Sequence, residues 1–389
     1  MRRAFRYRLF TNANQERELG IALESHRRLY NQCLDLRELA WQTEGASVSY
    51  SDCSRWFKHQ RTTNPFYARL NFSSAQATMR RLDKSFANFF RRVADGEVPG
   101  YPRFKGRGRF NSIEYPAHGD GIRLTGNRLR MQHVGTIRVK LHRSVEGKIK
   151  TLTLKHEAGK WYVVVSCEVP DVPVASSGKP EVGIDVGLTK FLTTSDGRTE
   201  PNPRFLKAEL PSLRVAQRAV ARKRKGSKSR HKTVVQLQKI HARVRNVRRE
   251  HHYQVAIRLV LAYGLIAVER LNIKGMLSNH RLARAIVDAG WAGFVSILKS
   301  KAECAGVQVV EVDPKGTSQE CSQCHETVPK DLSVRWHDCP HCGCSLDRDH
   351  NAALNILARA RRARTELVRV NVGHKIMRPS RSRRVYATE

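Results

Sequence analysis

The chain has 389 residues and carries 71 lysines and arginines against 35 aspartates and glutamates, a formal charge of +36. That length suits two or three domains with real cores, and that charge, far beyond the magnitude of about 2–8 usual for a small domain, argues against a neutral substrate and calls for a polyanion. Nucleic acid fits better than a membrane surface, because the cations are spread along the whole chain rather than gathered on one amphipathic patch.

Nine cysteines, four of them in paired knuckles, point to a reducing cytosol rather than a disulfide scaffold. Met1 to Arg6 lacks the apolar core of a secretory leader. The most apolar run, Val255 to Val268, is broken by Arg258 and is too short to span a bilayer. The expectation is a prokaryotic-type cytoplasmic protein, held on the nucleoid by DNA binding, with no membrane partner.

Residues 4–10 (AFRYRLF) alternate apolar and basic side chains and predict a strand. Asn12 with Gln15 predicts a capping box, opening a helix whose Leu19, Leu23, Tyr30 and Leu34 recur at near-helical spacing. A second helix is predicted from Ser73, with Gln76 behind it and an apolar face of Leu82, Phe86, Phe89, Phe90 and Val93. Its cations (Arg80, Arg81, Lys84, Arg91 and Arg92) fall mostly elsewhere, as a lobe against a nucleic-acid duplex would require.

From Gly96 the texture turns to glycine, proline and short alternating runs. Tyr101, Arg103, Phe104, Lys105 and Arg107 interleave aromatics with cations, which suits phosphate contacts combined with stacking. The plainer alternative is a solvated loop tied down by two aromatics. Strands are predicted at 121–124, 128–131, 136–141, 148–156 and 161–169, together a small barrel or sandwich that residues 4–10 can join across the helical insert. Residues 171–180 read as a linker.

The second half opens on EVGIDVG, residues 181–187, a buried-type strand with Asp185 in its middle. An aspartate among Ile184, Val186 and glycines is costly to bury unpaired, so it needs a cation. A metal is the simplest, and a structural ion pair is the alternative. A strand at 191–195 and an Asp196-Gly197 turn follow. Residues 204–249 read as long helices crowded with cations, including Arg222, Lys223, Arg224 and Lys225, offset mainly by Glu209. A block so one-signed repels itself and reads as a phosphate-binding hairpin rather than only a solvated face. An apolar strand at 266–271 carries Glu269. Residues 272–276 look like a loop, residues 288–304 a helix and residues 307–312 a strand.

Cys321-x-x-Cys324, fourteen residues, then Cys339-x-x-Cys342 is the spacing of two knuckles that place four thiolates at the corners of a tetrahedron, the geometry of a structural Zn²⁺ site. His325, His341 and Cys344 are near enough to be alternative ligands. Asp347 to Asn351 then leads into a helix, where Asp349 is either a cap or a metal ligand. Beyond Arg359 the tail is rich in arginine, serine and proline, and partial disorder is expected.

Asp185, Glu269 and Asp349 thus come from two strands and a helix start, the way a mixed α/β sheet gathers acids at one edge. Three hard oxygen donors suit Mg²⁺ or Mn²⁺ rather than zinc. Two such ions about 3.5–4 Å apart can clamp a phosphodiester. With the basic surface, this predicts hydrolysis of DNA or RNA; a glycosidase also uses paired carboxylates, but its neutral substrate suits this charge poorly.

The segments GIDVGLTKFLTTSDG, AVERLNIKGM and TSQECSQC…CPHCGCSLDRDHNAALNIL resemble the three RuvC segments and the zinc ribbon of the TnpB/OrfB transposon-encoded proteins, small relatives of type V CRISPR effectors. YRLFTNANQERELG, GYPRFKGRGRF and DAGWAGFVSILKSKAECAGVQVVEVDP extend the likeness over most of the chain. The resemblance implies an RNA-guided DNA endonuclease of α+β multidomain build. A small β-barrel wedge (1–10 and 96–172) would hold an inserted helical recognition lobe (11–95). An RNase H-like RuvC nuclease domain (181–317 and 346–362) would carry the zinc ribbon (318–345), followed by a basic tail (363–389). It further implies a guide RNA and a target DNA recognised beside a short motif. Asp185, Glu269 and Asp349 resemble the three catalytic acids, Asp349 rather than Asp347 because it stands directly before the x-Asn-Ala-Ala run. Two departures stand out: His325 where glycine is common, and Arg270 where an acid is common. Other readings are a zinc-ribbon protein or guided repressor that binds without cutting, which the presence of all three acids disfavours, and a strand-transferring transposase.

Overall fold

The computed structural model describes residues 1–174, 178–331 and 334–376, with side chains as far as residue 365. It divides into two compact units, Met1–Asp171 and the chain from Val172 onward. The expected linker at 171–180 includes residues 175–177, which lie outside the described residues.

The first unit begins with β1 (Arg2–Phe10) and continues through α1 (Ala13–Glu44), α2 (Tyr50–Thr63), α3 (Pro65–Ala68) and α4 (Phe72–Ala94). Then come β2 (Ser112–Tyr115), β3 (Ile122–Thr125), β4 (Arg128–Met131), β5 (Gly135–Lys140), β6 (Lys148–Glu157) and β7 (Lys160–Glu168). All seven strands form one antiparallel sheet in the order β2-β6-β7-β1-β5-β4-β3. β1 therefore sits at the centre of strands that follow it by about a hundred residues, as the alternation at 4–10 suggested. Period two explains the core: Phe5, Tyr7 and Leu9 face inward with Val163, Val165, Leu152, Leu154, Ile137 and Val139. Among the described residues no pairing joins the edge strands β2 and β3, so the expected barrel or sandwich is a half-barrel sheet. β2 was not foreseen, although its four residues alternate as those of β3 and β4 do.

The capping box of Asn12 and Gln15 opens α1 as expected. α2 carries the same device in Ser49 and Asp52, a helix start that was equally legible in the sequence. The start of α4 corrects an expectation. Its cap is Asn71, whose side-chain oxygen accepts from the Ser74 amide at 2.9 Å, while Ser73 lies inside the first turn. The apolar stripe of α4 is also shorter than its spacing suggests. Leu82 and Phe86 are buried, but Phe90 and Val93 are 62% and 51% exposed.

The second unit contains β8 (Glu181–Val186), β9 (Lys190–Thr194), β10 (Thr199–Pro201), α5 (Phe205–Ala221), α6 (Lys228–Ala262) and β11 (Leu265–Glu269). It continues through α7 (Ile273–Met276), α8 (His280–Ala289), α9 (Trp291–Ala305), β12 (Gln308–Val312), β13 (Trp336–Asp338), β14 (Ser345–Asp347) and α10 (Arg348–Ile376). Five strands make a mixed sheet in the order β10-β9-β8-β11-β12, antiparallel from β10 to β8 and parallel from β8 to β12. Side chains of one parity (Val182, Ile184, Ile266 and Val268) pack under α6 and α9. Those of the other parity (Leu265 and Ala267) pack under α10 with Ile356, Leu357 and Ala360.

Where a single helix was expected over 288–304, Gly290 in the left-handed region (φ 66°) ends α8 and starts α9. A side chain there would crowd Arg248 Cδ at 3.1 Å as well as strain the backbone. The supposed loop at 272–276 is one helical turn capped by Asn272. α10 runs to Ile376, through residues expected to belong to the tail, and residues 377–389 lie outside the described residues.

α10 crosses β8 at Gly183, where an added Cβ would stand 2.1 Å from the Ala353 carbonyl oxygen and 2.7 Å from the Leu357 nitrogen. Only glycine permits that approach. Gly183→Ala must push the helix off the strand, an overpacking cost of about 1–3 kcal/mol. We expect a melting temperature lower by several degrees in thermal denaturation; an unchanged melt would mean that the crossing is not tight.

Candidate active site and metal centre

The parity that buries Val182 and Ile184 under α6 and α9 turns Gly183 and Asp185 toward α10. The same parity turns Glu269 to that side with Leu265 and Ala267. The parallel register pairs Ala267 with Gly183 and Val268 with Ile184, so one further step brings Glu269 level with Asp185 on the neighbouring strand. Adjacent strands lie about 4.7–4.9 Å apart. Asp349 arrives from above. Its Oδ2 lies 3.8 Å from where a Cβ on Gly187 would sit, two residues beyond Asp185.

α10 runs antiparallel to β8, and three contacts fix its register. Asp349 stands over Gly187, Ala353 and Leu357 over Gly183, and Arg361 and Arg364 pair with Glu181 at 2.6 and 2.9 Å. Asp347 has a separate task. Its Oδ1 accepts from the amides of Asp349 (2.9 Å) and His350 (3.2 Å), and its Oδ2 pairs with Lys190 Nζ at 2.9 Å. The neighbouring aspartate thus does the capping, and Asp349 is left close enough for its charge to act on Asp185, with Arg348 at 3.3 Å.

The electrostatics follow from this crowding. Burial first, then the charges of Glu269 and Asp349, push the Asp185 carboxyl well above the usual carboxylate range, against the pull of Arg348 and the Val186 amide. Glu269 is likewise raised by burial, although the Thr317 hydroxyl and Arg359 draw it down. A cavity of about 370 Å³ opens beside Glu269, lined in part by Arg270, Trp291 and Ser296.

Sequence reasoning missed the side chains that steady this site. Thr317 donates to Glu269 Oε1, and its own carbonyl accepts from Asn355 Nδ2 at 2.9 Å. Asn351, Asn355 and Arg359, four residues apart on one face of α10, hold residues 313–322. The Asn351 and Asn355 amides are buried, and both donate to the Glu320 carbonyl at 2.7 Å. An Asn-x-x-x-Asn-x-x-x-Arg stripe after the knuckles was the signal that could have revealed them.

The two knuckles converge as their spacing predicted. Cys321 and Cys342 sulfurs lie 3.6 Å apart, as do those of Cys324 and Cys339, and all four lie within 4.8 Å of one another. Sulfurs at Zn–S distances of about 2.3 Å in a tetrahedron are about 3.8 Å apart, whereas a disulfide needs about 2.05 Å. The donor set and spacing fit Zn²⁺. Burial would raise the Cys321 thiol, but the Cys324 and Gln323 amides and the neighbouring sulfurs bring it down to about 6. His325, His341 and Cys344 stand outside the group; His325 instead faces Glu320 at 3.2 Å. Its φ of 64° shows why a glycine would be at ease there.

The proposed nucleic-acid residues belong to other elements. Arg222, Lys223, Arg224 and Lys225 form the exposed tip of the α5–α6 hairpin. In the first unit, Tyr101 sits edge-on to Phe86 and Phe89, and Lys105 is tied to Asn31 and Arg27 through its backbone. Phe104, Arg103 and Arg107 are exposed.

Three family descriptions match: "Helix-turn-helix domain" over residues 1–46, "Probable transposase" of the OrfB type over 164–280, and "Cas12f1-like, TNB domain" over 291–356. Despite the first description, residues 1–46 fold as a strand and one long helix. The chain is 33% identical to a "Putative RNA-guided DNA endonuclease" of Streptomyces pristinaespiralis over 92% of this chain and 89% of that one. It is 28% identical to "Putative RNA-guided DNA endonuclease InsQ" of Escherichia coli (strain K12) over 91% of each. A solved structure of CasPhi-2 (Cas12j) bound to crRNA aligns with 92% of this chain and 98% of that one, at 10% identity and a TM-score of 0.48. On its identity to the Streptomyces protein along nearly the whole length of both, and on the OrfB match, the chain belongs to the TnpB/OrfB family of transposon-encoded proteins.

Proposed function

We infer that this chain is a transposon-associated, RNA-guided endonuclease that cuts DNA by metal-dependent phosphodiester hydrolysis. The observation that supports the reading is Asp185 on the α10 side of the sheet, its carboxyl held at a raised pKa by burial and by the charges of Glu269 and Asp349. Clustered acids with perturbed titration are the mark of a working site. The strand order β10-β9-β8-β11-β12, with the first acid on the central strand, is what an RNase H-like RuvC domain would have.

Bound to these acids, Mg²⁺ or Mn²⁺ would supply an activated water and a counter-charge for the leaving oxygen. The chain's own residues orient the donors: Thr317 holds one oxygen of Glu269, and the α10 register holds Asp349 over Gly187. Cys321, Cys324, Cys339 and Cys342 would hold Zn²⁺ in a structural role, fixing the segment that delivers Thr317. The surplus of cations, among them the α5–α6 tip and the 101–107 loop, serves the guide RNA and the target DNA.

The test begins with the protein expressed together with its flanking sequence. The RNA that copurifies is sequenced, and a plasmid carrying the matching target is incubated with the complex in MgCl₂. Linear products that depend on the match support the reading. Target binding without products in Mg²⁺ or Mn²⁺ would make the chain a guided repressor, and joined rather than cut strands would make it a transposase.

A further inference from the structure

A second cavity in the nuclease unit, of about 490 Å³, lies between the start of α5 and α8. Arg204, Lys207, His280, Arg281 and Arg284 line it, with Asp288 as its one acid. Asp288 is already satisfied: its oxygens accept from the amides of Leu206 (2.8 Å) and Lys207 (3.1 Å) and from Arg248 (3.1 Å). Among the described residues no ion pair neutralises the side chains of Arg204, Lys207, Arg281 or Arg284. Four cations therefore share one concavity without a counter-charge. Such an arrangement repels itself and is relieved by a polyanion. Its volume falls within the range of about 300–1,000 Å³ typical of ligand sites.

Its place identifies the anion. One wall is Leu188, whose carbonyl accepts from Asn202 Nδ2 at 2.9 Å. Leu188 follows Asp185 by three residues, which span at most about 11 Å of extended chain. At about 3.4 Å of rise per nucleotide in a strand, the wall is at most about three steps from Asp185. We propose that this cavity binds backbone phosphates of the DNA strand being cut, a few nucleotides from the bond that the acids attack. The identity of that strand rests on the nuclease reading; the binding of polynucleotide phosphate does not. Arginines on α8 and a lysine in the first turn of α5 then act as a clamp that sets the path of the strand.

The experiment uses the complex with its copurified RNA, in an Asp185→Ala background so that nothing is cleaved. Binding of a fluorescent single-stranded DNA oligonucleotide, unrelated to the guide, is measured over a series of NaCl concentrations and repeated with an RNA oligonucleotide. Arg281→Ala with Arg284→Ala should make the dependence of log K on log salt shallower for DNA by about 0.7 for each phosphate no longer neutralised. The residues are exposed, so the thermal melt should not change. A photo-crosslinking p-benzoylphenylalanine in place of His280 should label the DNA. An unchanged DNA slope overturns the proposal, and so does crosslinking to the guide RNA instead. Because the readout is binding, a failure here is distinct from a failure of the nuclease reading, which cleavage assays decide.

Discussion

Asp185→Asn is expected to lower cleavage about a thousandfold or more and to raise the melting temperature of the metal-free protein. The first effect follows from the several kcal/mol that divalent ions contribute to charge stabilisation in such sites, at about 1.36 kcal/mol per tenfold in rate. The second follows from the raised pKa. Burial and two neighbouring acids hold the folded Asp185 above its ordinary value. A carboxyl whose folded value exceeds its unfolded one adds nothing at acid pH. It then destabilises the fold increasingly as pH rises from the unfolded value toward the folded one. Asparagine keeps the shape and removes the charge, so the variant should gain most at neutral pH and least in acid. MgCl₂ should stabilise the parent and have little effect on the variant. Thermal melts from acid to neutral pH, with EDTA or MgCl₂, decide the matter. Parental cleavage by the variant, or an equal Mg²⁺ response in both proteins, would remove Asp185 from the site.

Removing one knuckle, by Cys321→Ser with Cys324→Ser, should have an effect as large. The cluster that holds the ribbon together consists of Cys321, Cys339 and Cys344 with Cys324, Val328 and Leu346 around them, so the ligands themselves are half of the core. Structural zinc supplies about 10–16 kcal/mol in such modules, and here little else could replace it. Without it Asn351 and Asn355 lose the carbonyls they hold, each a buried amide left unsatisfied at about 1–3 kcal/mol. Thr317 would lose its place against Glu269 with them. Limited proteolysis should open residues 318–345 while the first unit stays protected, and cleavage of target DNA should fall. A zinc-stripped protein that resists protease and cuts normally would contradict this.

Much of the site could be read from the sequence because its signals are local. A knuckle needs only two cysteines at fixed spacing, and a strand aspartate among Ile184 and Val186 declares its own electrostatic problem. The register of α10 could not be read, since it depends on Gly183, which lies far from the helix in sequence and looks like any strand glycine. Thr317, Asn351 and Asn355 escaped for a related reason: polar residues beside cysteine knuckles look like loop chemistry until a helix face is seen to collect them. In the first unit, alternation marked six of the seven strands and left β2, whose SIEY pattern is as short as those of β3 and β4. Neither the opening of the half-barrel nor the exposed end of the α4 stripe is encoded in any short window. The break at Gly290 was legible in principle, being one glycine inside an apolar period.

α10 reads two sites at once, the acids at its first turn and the ribbon along its Asn351, Asn355 and Arg359 face. An α-helix turns by about 100° per residue, so one residue gained or lost between Asp349 and Asn355 would swing one set of side chains out of phase with the other. This stretch of chain is therefore a ruler whose length cannot drift, whereas the α5–α6 tip can lengthen or shrink over generations at little energetic penalty.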